Sequence, residues 1–256
     1  VADFYRKITN NLLSIVSLPT STGYASSLQN IGSMQNKGVE FSIEANLIRN
    51  RTLNWNVSGN ISFNRNKIAA MYGGKDIITG NFNFGGAQFI DDIVVLRQGE
   101  PLGMFYGYEE NGYAPGSKGA LSIVTYKDRN NDGVINIDDK IKIGDPNPDF
   151  IYGFSTFLTY KAFSISAYFQ GTYGNDIANL SALTLYEVPY WVNTLKEMPQ
   201  NLATSSNPNA KYPQPEQRNL GLMFSKRFVE NGSYLRMQHI ELGYNLQKGP
   251  RSAYIF

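Results

Sequence analysis

A period-two alternation of apolar and polar residues is the feature that most constrains how this sequence can fold. In LNWNVSGNISFN, Leu53–Asn64, one parity carries Trp55, Val57, Ile61 and Phe63, while the other carries only asparagine and serine. Alternation with this period is typical of a β-strand whose two faces meet different surroundings. The pattern predicts a strand but leaves open whether its apolar face meets a protein core or lipid.

Other segments share this strand-like character, and 13% of the chain is aromatic, with 17 tyrosines and 15 phenylalanines. Aromatic enrichment favours β-structure. The parity slips just before Ile240, which predicts a β-bulge near Gln238. The other predicted strands are Val39–Leu47, Ile151–Tyr160, Phe163–Tyr173 and Ile240–Leu246.

Short and long connections alternate along the chain. Structureless connections above about 15 residues count against a soluble domain, whereas transmembrane barrels combine tight periplasmic turns with long extracellular loops. The asymmetry therefore favours an all-β fold, part of an antiparallel transmembrane β-barrel with long extracellular loops. The predicted short turns are 50–52, 161–162 and 248–251, and the predicted long loops are about 10–36, 71–150 and 175–232.

Charge placement supports the same fold. Leu53–Phe63 and Phe163–Tyr173 contain no Asp, Glu, Lys or Arg, and Glu40 and Glu44 lie on the polar parity of their strand. A Lys or Arg on the lipid face at mid-bilayer costs about 2–4 kcal/mol. The predicted strands also reach the length of about 9–11 residues that a tilted strand needs to span hydrocarbon. We therefore expect the apolar parity to face lipid and the asparagine parity to face a wet lumen.

Two other classes of protein compete with this interpretation. The first is a secreted, calcium-stabilised, carbohydrate-binding β-sandwich, in which the apolar parities would form a dry core. The second is a glycoside hydrolase, which requires two carboxyl groups about 5–10 Å apart in a cleft. The adjacent acids of this chain do not favour such a pair, because neighbouring strand residues point to opposite faces. These adjacent acids are Asp91–Asp92, Glu109–Glu110 and Asp138–Asp139.

Composition excludes several further functions. The formal charge is only +2 with scattered Lys and Arg, so we expect no nucleic-acid partner. The absence of cysteine rules out disulfides and thiolate metal sites. His239 is the only histidine and lies in a predicted strand, where a packed or lumen-facing side chain is expected rather than a catalytic base. We predict that the chain is not an enzyme.

A series of motifs resembles the C-terminal part of the SusC/RagA-like TonB-dependent outer-membrane transporters. The motifs follow the family's order across nearly the whole chain, and the sequence begins and ends in strand-like segments. The resemblance identifies 1–256 as a C-terminal part of the receptor barrel. The motifs are DFYRKITNNLL at Asp3–Leu13, LPTSTGY at Leu18–Tyr24, NIGSMQNKGVEFSI at Asn30–Ile43, LNWNVSGNISFNRNKI from Leu53, GEPLGMFYGY at Gly99–Tyr108, GDPNPDFIYGF at Gly144–Phe154 and NGSYLRMQHIELGYNL at Asn231–Leu246.

This resemblance implies a nutrient importer whose complete form is a large barrel with an N-terminal plug. The family pairs with a SusD-like surface lipoprotein, which acts as a lid over glycan or peptide cargo, and the TonB complex supplies energy through the plug. The plug domain is expected to be absent from this chain. The implied location is the cell outer membrane.

One segment has the spacing of a calcium-binding loop. DRNNDGVINIDD, Asp128–Asp139, places oxygen donors at six positions and Gly133 at the position of the sharp turn, as a hard cation requires. Aspartate replaces the usual glutamate at the last position, and its shorter side chain could reach the ion with one oxygen only. A solvated Asn/Asp/Gly turn is the alternative. The candidate ligands of a structural Ca²⁺ are Asp128, Asn130, Asp132, the Val134 carbonyl, Asn136 and Asp139.

Overall fold

The chain folds into antiparallel β-strands in two separate compact units. The computed structural model describes residues 1–17, 23, 26–71, 73, 76–81, 92–116, 119–182, 195–214 and 223–246. Among these residues, no helix is both long enough and apolar enough to cross a membrane. The sheet unit comprises Val1–Gly73, Asn147–Asn175 and Gly232–Phe256, and the insertion unit comprises Gly74–Pro146 and Asp176–Asn231.

The sheet unit contains one six-stranded sheet in the order β1-β2-β3-β10-β11-β14, with every neighbouring pair antiparallel. Its strands are long, as expected for strands that span a hydrocarbon layer. They are β1 Ala2–Ser17, β2 Ser26–Arg49, β3 Leu53–Met71, β10 Phe150–Tyr160, β11 Phe163–Tyr173 and β14 Tyr234–Tyr244.

The strands predicted from alternation are confirmed, and so is the bulge near Gln238. Tyr168 of β11 pairs with His239, and the next residue, Phe169, pairs with Met237, so Gln238 is left without a partner. The extra residue lets apolar side chains on both sides of it keep to one face of the sheet, which explains the slip in parity.

Two of the predicted short turns are also confirmed. The turn between β2 and β3 is closed by the side chain of Asn50, whose Oδ1 accepts the N–H groups of Thr52 at 2.9 Å and Leu53 at 2.7 Å. The turn between β10 and β11 places Lys161 at φ 55°. The predicted turn at 248–251 lies outside the described residues.

The prediction of a long loop at about 10–36 is wrong. Residues 10–17 belong to β1 and residues 26–36 belong to β2, and the two segments pair with each other. The alternation is hidden here because Asn11 takes φ 58° and the register shifts on both sides of Leu12. The side chain of Asn30 donates to Asn11 Oδ1 at 3.0 Å across this irregularity.

The other two predicted long connections hold secondary structure of their own, namely the insertion unit. Its buried core contains tyrosine and phenylalanine rings, including Tyr108, Tyr212, Phe224 and Phe228. Side chains from both chain segments of this unit therefore share one hydrophobic interior. Its strands are β4 Ile77–Asn81, β5 Asp92–Leu96, β6 Met104–Gly107, β7 Glu110–Pro115, β8 Leu121–Tyr126, β9 Ile141–Gly144, β12 Asp176–Ala178 and β13 Val229–Asn231.

Candidate functional site

The strand registers bring the apolar parities of six strands onto one face of the sheet unit, called here the apolar face. Ile61 of β3, for example, lies opposite Phe41 of β2 and Tyr152 of β10. Such cross-strand neighbours point to the same side of a sheet. The apolar face includes Ala2, Phe4, Val39, Phe41, Ile43, Ala45, Trp55, Val57, Ile61, Phe63, Tyr152, Phe154, Leu158, Tyr160, Phe163, Ile165, Ala167, Phe169, Leu235, Met237, Ile240, Leu242 and Tyr244.

Large side chains on the apolar face are exposed across several strands. Ile43 of β2 is 70% exposed, Phe154 of β10 is 45% exposed and Leu242 of β14 is 76% exposed. A sandwich core would bury such side chains at the density of a protein interior. The exposure therefore contradicts the alternative of a soluble β-sandwich, which the sequence had left open.

The opposite parities form the polar face, which is rich in short hydroxyl and amide side chains. The Oγ atoms of Ser58 and Ser155 lie 2.7 Å apart. Ser62 donates to the carboxylate of Glu40 at 3.2 Å, and Asn56 donates to that of Glu44 at 3.3 Å. These groups bond to one another and still offer donors and acceptors to water, as the wall of a wet lumen requires.

Aromatic rings mark both ends of the apolar face. At the end with the short turns, the Phe163 and Tyr244 ring centroids are 4.6 Å apart. At the other end, Phe150 lies 5.6 Å from Phe63 and 5.1 Å from Tyr173 between centroids. Aromatic rings at these levels are typical of the interfacial girdles of membrane barrels.

His239 lies on the polar face of β14, in the strand where it was predicted. Its Nε2 is 3.4 Å from a carboxylate oxygen of Glu241, and both side chains are more than half exposed. The next strand places Tyr168 directly opposite. An exposed histidine and glutamate on an open face lack the buried, oriented geometry of a nucleophile–base pair.

Glu109 and Glu110 of the insertion unit bind different partners. Glu109 forms ion pairs with Lys127 at 2.5 Å and Arg129 at 2.7 Å, which lower its pKa. Glu110 instead accepts from Arg227 Nε at 2.8 Å, so the two adjacent carboxylates do not form a shared acid–base site.

The ion pair between Glu110 and Arg227 is the most enclosed one in the described part of the chain. The two side chains are 17% and 15% exposed, and Ser225 also donates to Glu110 at 2.6 Å. Burial opposes the charge on Arg227, but its hydrogen bonds and ion pair with Glu110 outweigh that effect and raise its pKa. The two residues lie on different chain segments of the insertion unit, which is why the sequence alone did not reveal the pair.

The calcium-like segment forms a compact loop closed by its own oxygen atoms. Asp128 accepts the N–H of Gly133 at 2.7 Å, and Asp132 accepts the N–H of Val134 at 2.8 Å. Asn130 donates to Asp132 Oδ2 at 2.8 Å. Gly133 has φ 82°, the left-handed conformation that the predicted sharp turn needs. The loop thus has the predicted turn and brings three of the predicted ligands together.

Asp139, the last predicted ligand, is held by backbone donors. Its two carboxylate oxygens accept the N–H of Arg129 at 2.7 Å and that of Asn136 at 2.9 Å, and its side chain is buried. These hydrogen bonds, that from Asn136 first, lower the pKa of Asp139. The two backbone donors therefore fix the orientation of the Asp139 carboxylate.

The described residues hold no group of three or more His, Cys, Asp or Glu side chains spaced to hold a metal ion. Asp128, Asn130 and Asp132 meet through hydrogen bonds, whereas Asp139 is engaged by the backbone of Arg129 and Asn136. The donor set is chemically suited to Ca²⁺, but Asp139 would have to share its oxygens between the ion and these N–H groups. Calcium binding stays a prediction.

Two aromatic segments of the sequence could stack on cargo, but packing of the loops against one another or against the lid protein is the favoured interpretation. They are NFNFGG at 81–86 and LYEVPYW at 185–191, which lie outside the described residues apart from Asn81.

Comparison with known proteins agrees with this two-faced sheet. No family model matches the chain. A TonB-dependent receptor of Formosa agariphila is 34% identical over 256 residues, covering 95% of this chain and 25% of that receptor. The TonB-dependent receptor SusC of Bacteroides thetaiotaomicron is 29% identical over 258 residues, covering 96% of this chain and 24% of that receptor. The chain is related to the SusC-type TonB-dependent receptors.

Solved structures give the same relationship. The structure of the RagAB peptide transporter matches with a TM-score of 0.76 and 25% sequence identity, covering 96% of this chain and 26% of that one. The RagAB peptide importer in its open-open state matches with a TM-score of 0.69. The chain therefore has the fold of part of an antiparallel transmembrane β-barrel, and it spans about a quarter of the length of the curated relatives it matches.

Proposed function

We propose that this chain forms part of the barrel wall of an outer-membrane, TonB-dependent nutrient importer. The observation that carries the proposal is the two-faced sheet: an exposed apolar face on one side and a hydrogen-bonded polar face of serine, asparagine and glutamate on the other. A wall between lipid and a water-filled lumen needs these two faces in this arrangement. The short turns lie on the periplasmic side and the insertion unit is extracellular.

The importer works with a SusD-like surface lipoprotein and with the TonB complex. The insertion unit is the part of this chain that meets the lipoprotein, because it has its own buried core and can present a fixed surface. The transported nutrient is a glycan or an oligopeptide. This chain carries no catalytic step.

Disrupting the gene is expected to abolish uptake of its nutrient and to leave general permeability unchanged. Labelled oligosaccharides and labelled oligopeptides, supplied separately to intact cells, identify the cargo class. Affinity purification of the tagged product from detergent-extracted outer membranes is expected to retain a surface lipoprotein. Unchanged uptake of every tested nutrient, together with no retained lipoprotein, would contradict the proposal.

We further propose that the 128–139 loop binds a structural Ca²⁺. A calcium ion needs six to eight oxygens, and the side-chain oxygens of Asp128 and Asn130 lie 3.3 Å and 3.1 Å from the same backbone nitrogen, that of Asp132. Isothermal titration of the purified product with Ca²⁺ is expected to show binding that Asp132→Ala removes. Asp138→Ala is the control, because Asp138 belongs to the same segment but is not among the proposed ligands. Equal calcium affinity in the Asp132→Ala variant and the unsubstituted protein would refute the site.

A further inference from the structure

Three cations lie in a row across three neighbouring strands of the sheet unit. Arg6 of β1 is the cross-strand partner of Lys37 of β2, and Lys37 is in turn the partner of Arg65 of β3. Directly opposed residues have Cβ atoms about 4.5–5.5 Å apart. Lys67 occupies the next same-face position along β3 and extends this cation row. Residues far apart in the sequence thus form one compact patch of positive charge.

The cation row lies on the apolar face. Arg6, Lys37 and Arg65 are each two residues from an apolar-face position, namely Phe4, Val39 and Phe63, so they share that parity. Among the described strand residues of the sheet unit, the acids Asp3, Glu40, Glu44 and Glu241 have the opposite parity. The only charges on the apolar face of these strands are therefore cations, and all of them are gathered at one end.

These cations are only partly neutralised within the chain. Arg65 pairs with Asp149 at 2.8 Å, and Arg6 donates to the neutral amide of Gln35 at 3.2 Å. Within the described part of the chain, no carboxylate lies within 4.0 Å of Lys37 Nζ or of the Arg6 guanidinium. Like charges placed directly opposite each other destabilise a sheet. An external anion would remove this repulsion.

A groove adjoins the cation row. The groove is shallow and open, and its lining joins Phe4, Val39 and Phe63 to Arg6, Lys37 and Arg65. One side is therefore hydrocarbon and aromatic, and the other side carries three positive charges. A ligand that matches both sides has an apolar chain joined to an anionic group.

The position of the cation row along the strands is consistent with a ligand that has an apolar chain and an anionic group. From the short turn before Leu53 to Phe63, β3 covers the length of about 9–11 residues that a tilted strand needs to cross hydrocarbon. Arg65 lies two residues beyond Phe63, and the aromatic cluster of Phe63 and Phe150 lies beside it. The cations thus occur where lipid head groups begin.

We propose that this groove binds an anionic, phosphate-bearing lipid, with the phosphate against Arg6, Lys37 and Arg65 and an acyl chain along Phe4, Val39 and Phe63. Guanidinium and ammonium groups are the preferred partners of phosphate oxygens, and basic pockets on membrane proteins recognise anionic head groups in this way. The proposal rests on the proposed function, since it needs the apolar face to meet lipid. It adds a defined lipid site at the long-connection end of the wall.

The test removes positive charges from the cation row, and a control variant removes one positive charge from the polar face. The complete gene product in neutral detergent is titrated with phosphatidylglycerol, and native mass spectrometry counts the lipid that stays bound. Lys37→Gln is expected to weaken binding about fivefold, and Arg6→Gln combined with Lys37→Gln about 30-fold, since each surface cation contributes about a factor of five. The matched control is Lys7→Gln, which removes the same charge from the opposite face and is expected to change nothing.

Two further ligands, phosphatidylcholine and inorganic phosphate, test whether the head-group charge and the acyl chain both contribute to binding. Phosphatidylcholine is expected to bind weakly and equally to all variants. Equal phosphatidylglycerol binding by the unsubstituted protein, Lys37→Gln and the double variant would overturn the lipid site. So would equal affinities for inorganic phosphate and phosphatidylglycerol, because the acyl chain would then contribute nothing.

A nitroxide at Ile43→Cys separates failure of the lipid site from failure of the proposed function. If the label contacts lipid while the variants bind phosphatidylglycerol equally, only the lipid site fails. If the label does not contact lipid, the proposed function fails as well.

Discussion

Ile43→Arg is expected to destabilise the folded protein in a bilayer by about 2–4 kcal/mol. Ile43 is 70% exposed on the apolar face and lies opposite Gly59, midway between the short turn and the cation row. If this face meets hydrocarbon, the guanidinium must remain at mid-bilayer or distort the lipid around it. Urea titration of the complete gene product folded into phosphatidylcholine vesicles measures the change.

Ser42→Arg is the matched control for this prediction. Ser42 precedes Ile43 on the same strand and points to the polar face, between Glu40 and Glu44. A new guanidinium there meets water and two carboxylates, so the expected change is within about 0.5 kcal/mol. Equal stability of the two arginine variants would contradict a lipid-facing Ile43, because an arginine on a water-exposed surface costs little on either face.

Glu110→Ala is expected to destabilise the insertion unit by about 3 kcal/mol. Removing Glu110 leaves Arg227 largely buried without its carboxylate and deprives Ser225 of its acceptor. Breaking an enclosed ion pair from one side costs about 3–5 kcal/mol, and the remaining exposure of the pair favours the lower end of this range. Hydrogen exchange of the amides in β7 and in 223–231 measures the loss in the intact protein.

Glu109→Ala is the neighbouring control. Glu109 forms two ion pairs, with Lys127 and Arg129, whose side chains are both nearly half exposed. Exposed pairs of this kind contribute little because water screens them. A larger increase in exchange for Glu109→Ala than for Glu110→Ala would show that ion-pair number, and not enclosure, governs the stability of this unit.

The periodic parts of the fold were predictable from the sequence because one physical constraint determines them. A strand with different surroundings on its two faces must alternate, so Leu53–Asn64 and Phe163–Tyr173 could be assigned directly. The bulge at Gln238 was predictable for the same reason, since it preserves the apolar face across a slip in parity.

The prediction failed where neighbouring strands, not the local pattern, determine the structure. Around Asn11 and Gly32 the pairing of β1 with β2 is irregular, and polar residues occupy both parities, so no alternation marks these strands. The short strands of the insertion unit are stabilised by a shared aromatic core drawn from two distant chain segments. Neither feature leaves a periodic signal.

The candidate sites were also predictable only where the residues lie close together in the sequence. The spacing of Asp128–Asp139 is local, so the turn at Gly133 and the meeting of Asp128 with Asp132 could be predicted. The binding of Asp139 to backbone donors could not. The cation row joins Arg6, Lys37 and Arg65, which become neighbours only once the register of three strands is known.

The central claim is that lipid covers the apolar face and water covers the polar face. The most direct measurement is a nitroxide scan along residues 39–46 of β2 in bilayer-embedded protein, comparing collisions with molecular oxygen and with a water-soluble nickel chelate. We expect a period of two, with oxygen contact highest at Val39, Phe41, Ile43 and Ala45 and chelate contact highest at the intervening positions. High chelate contact at Ile43, or the loss of this period, would contradict the claim.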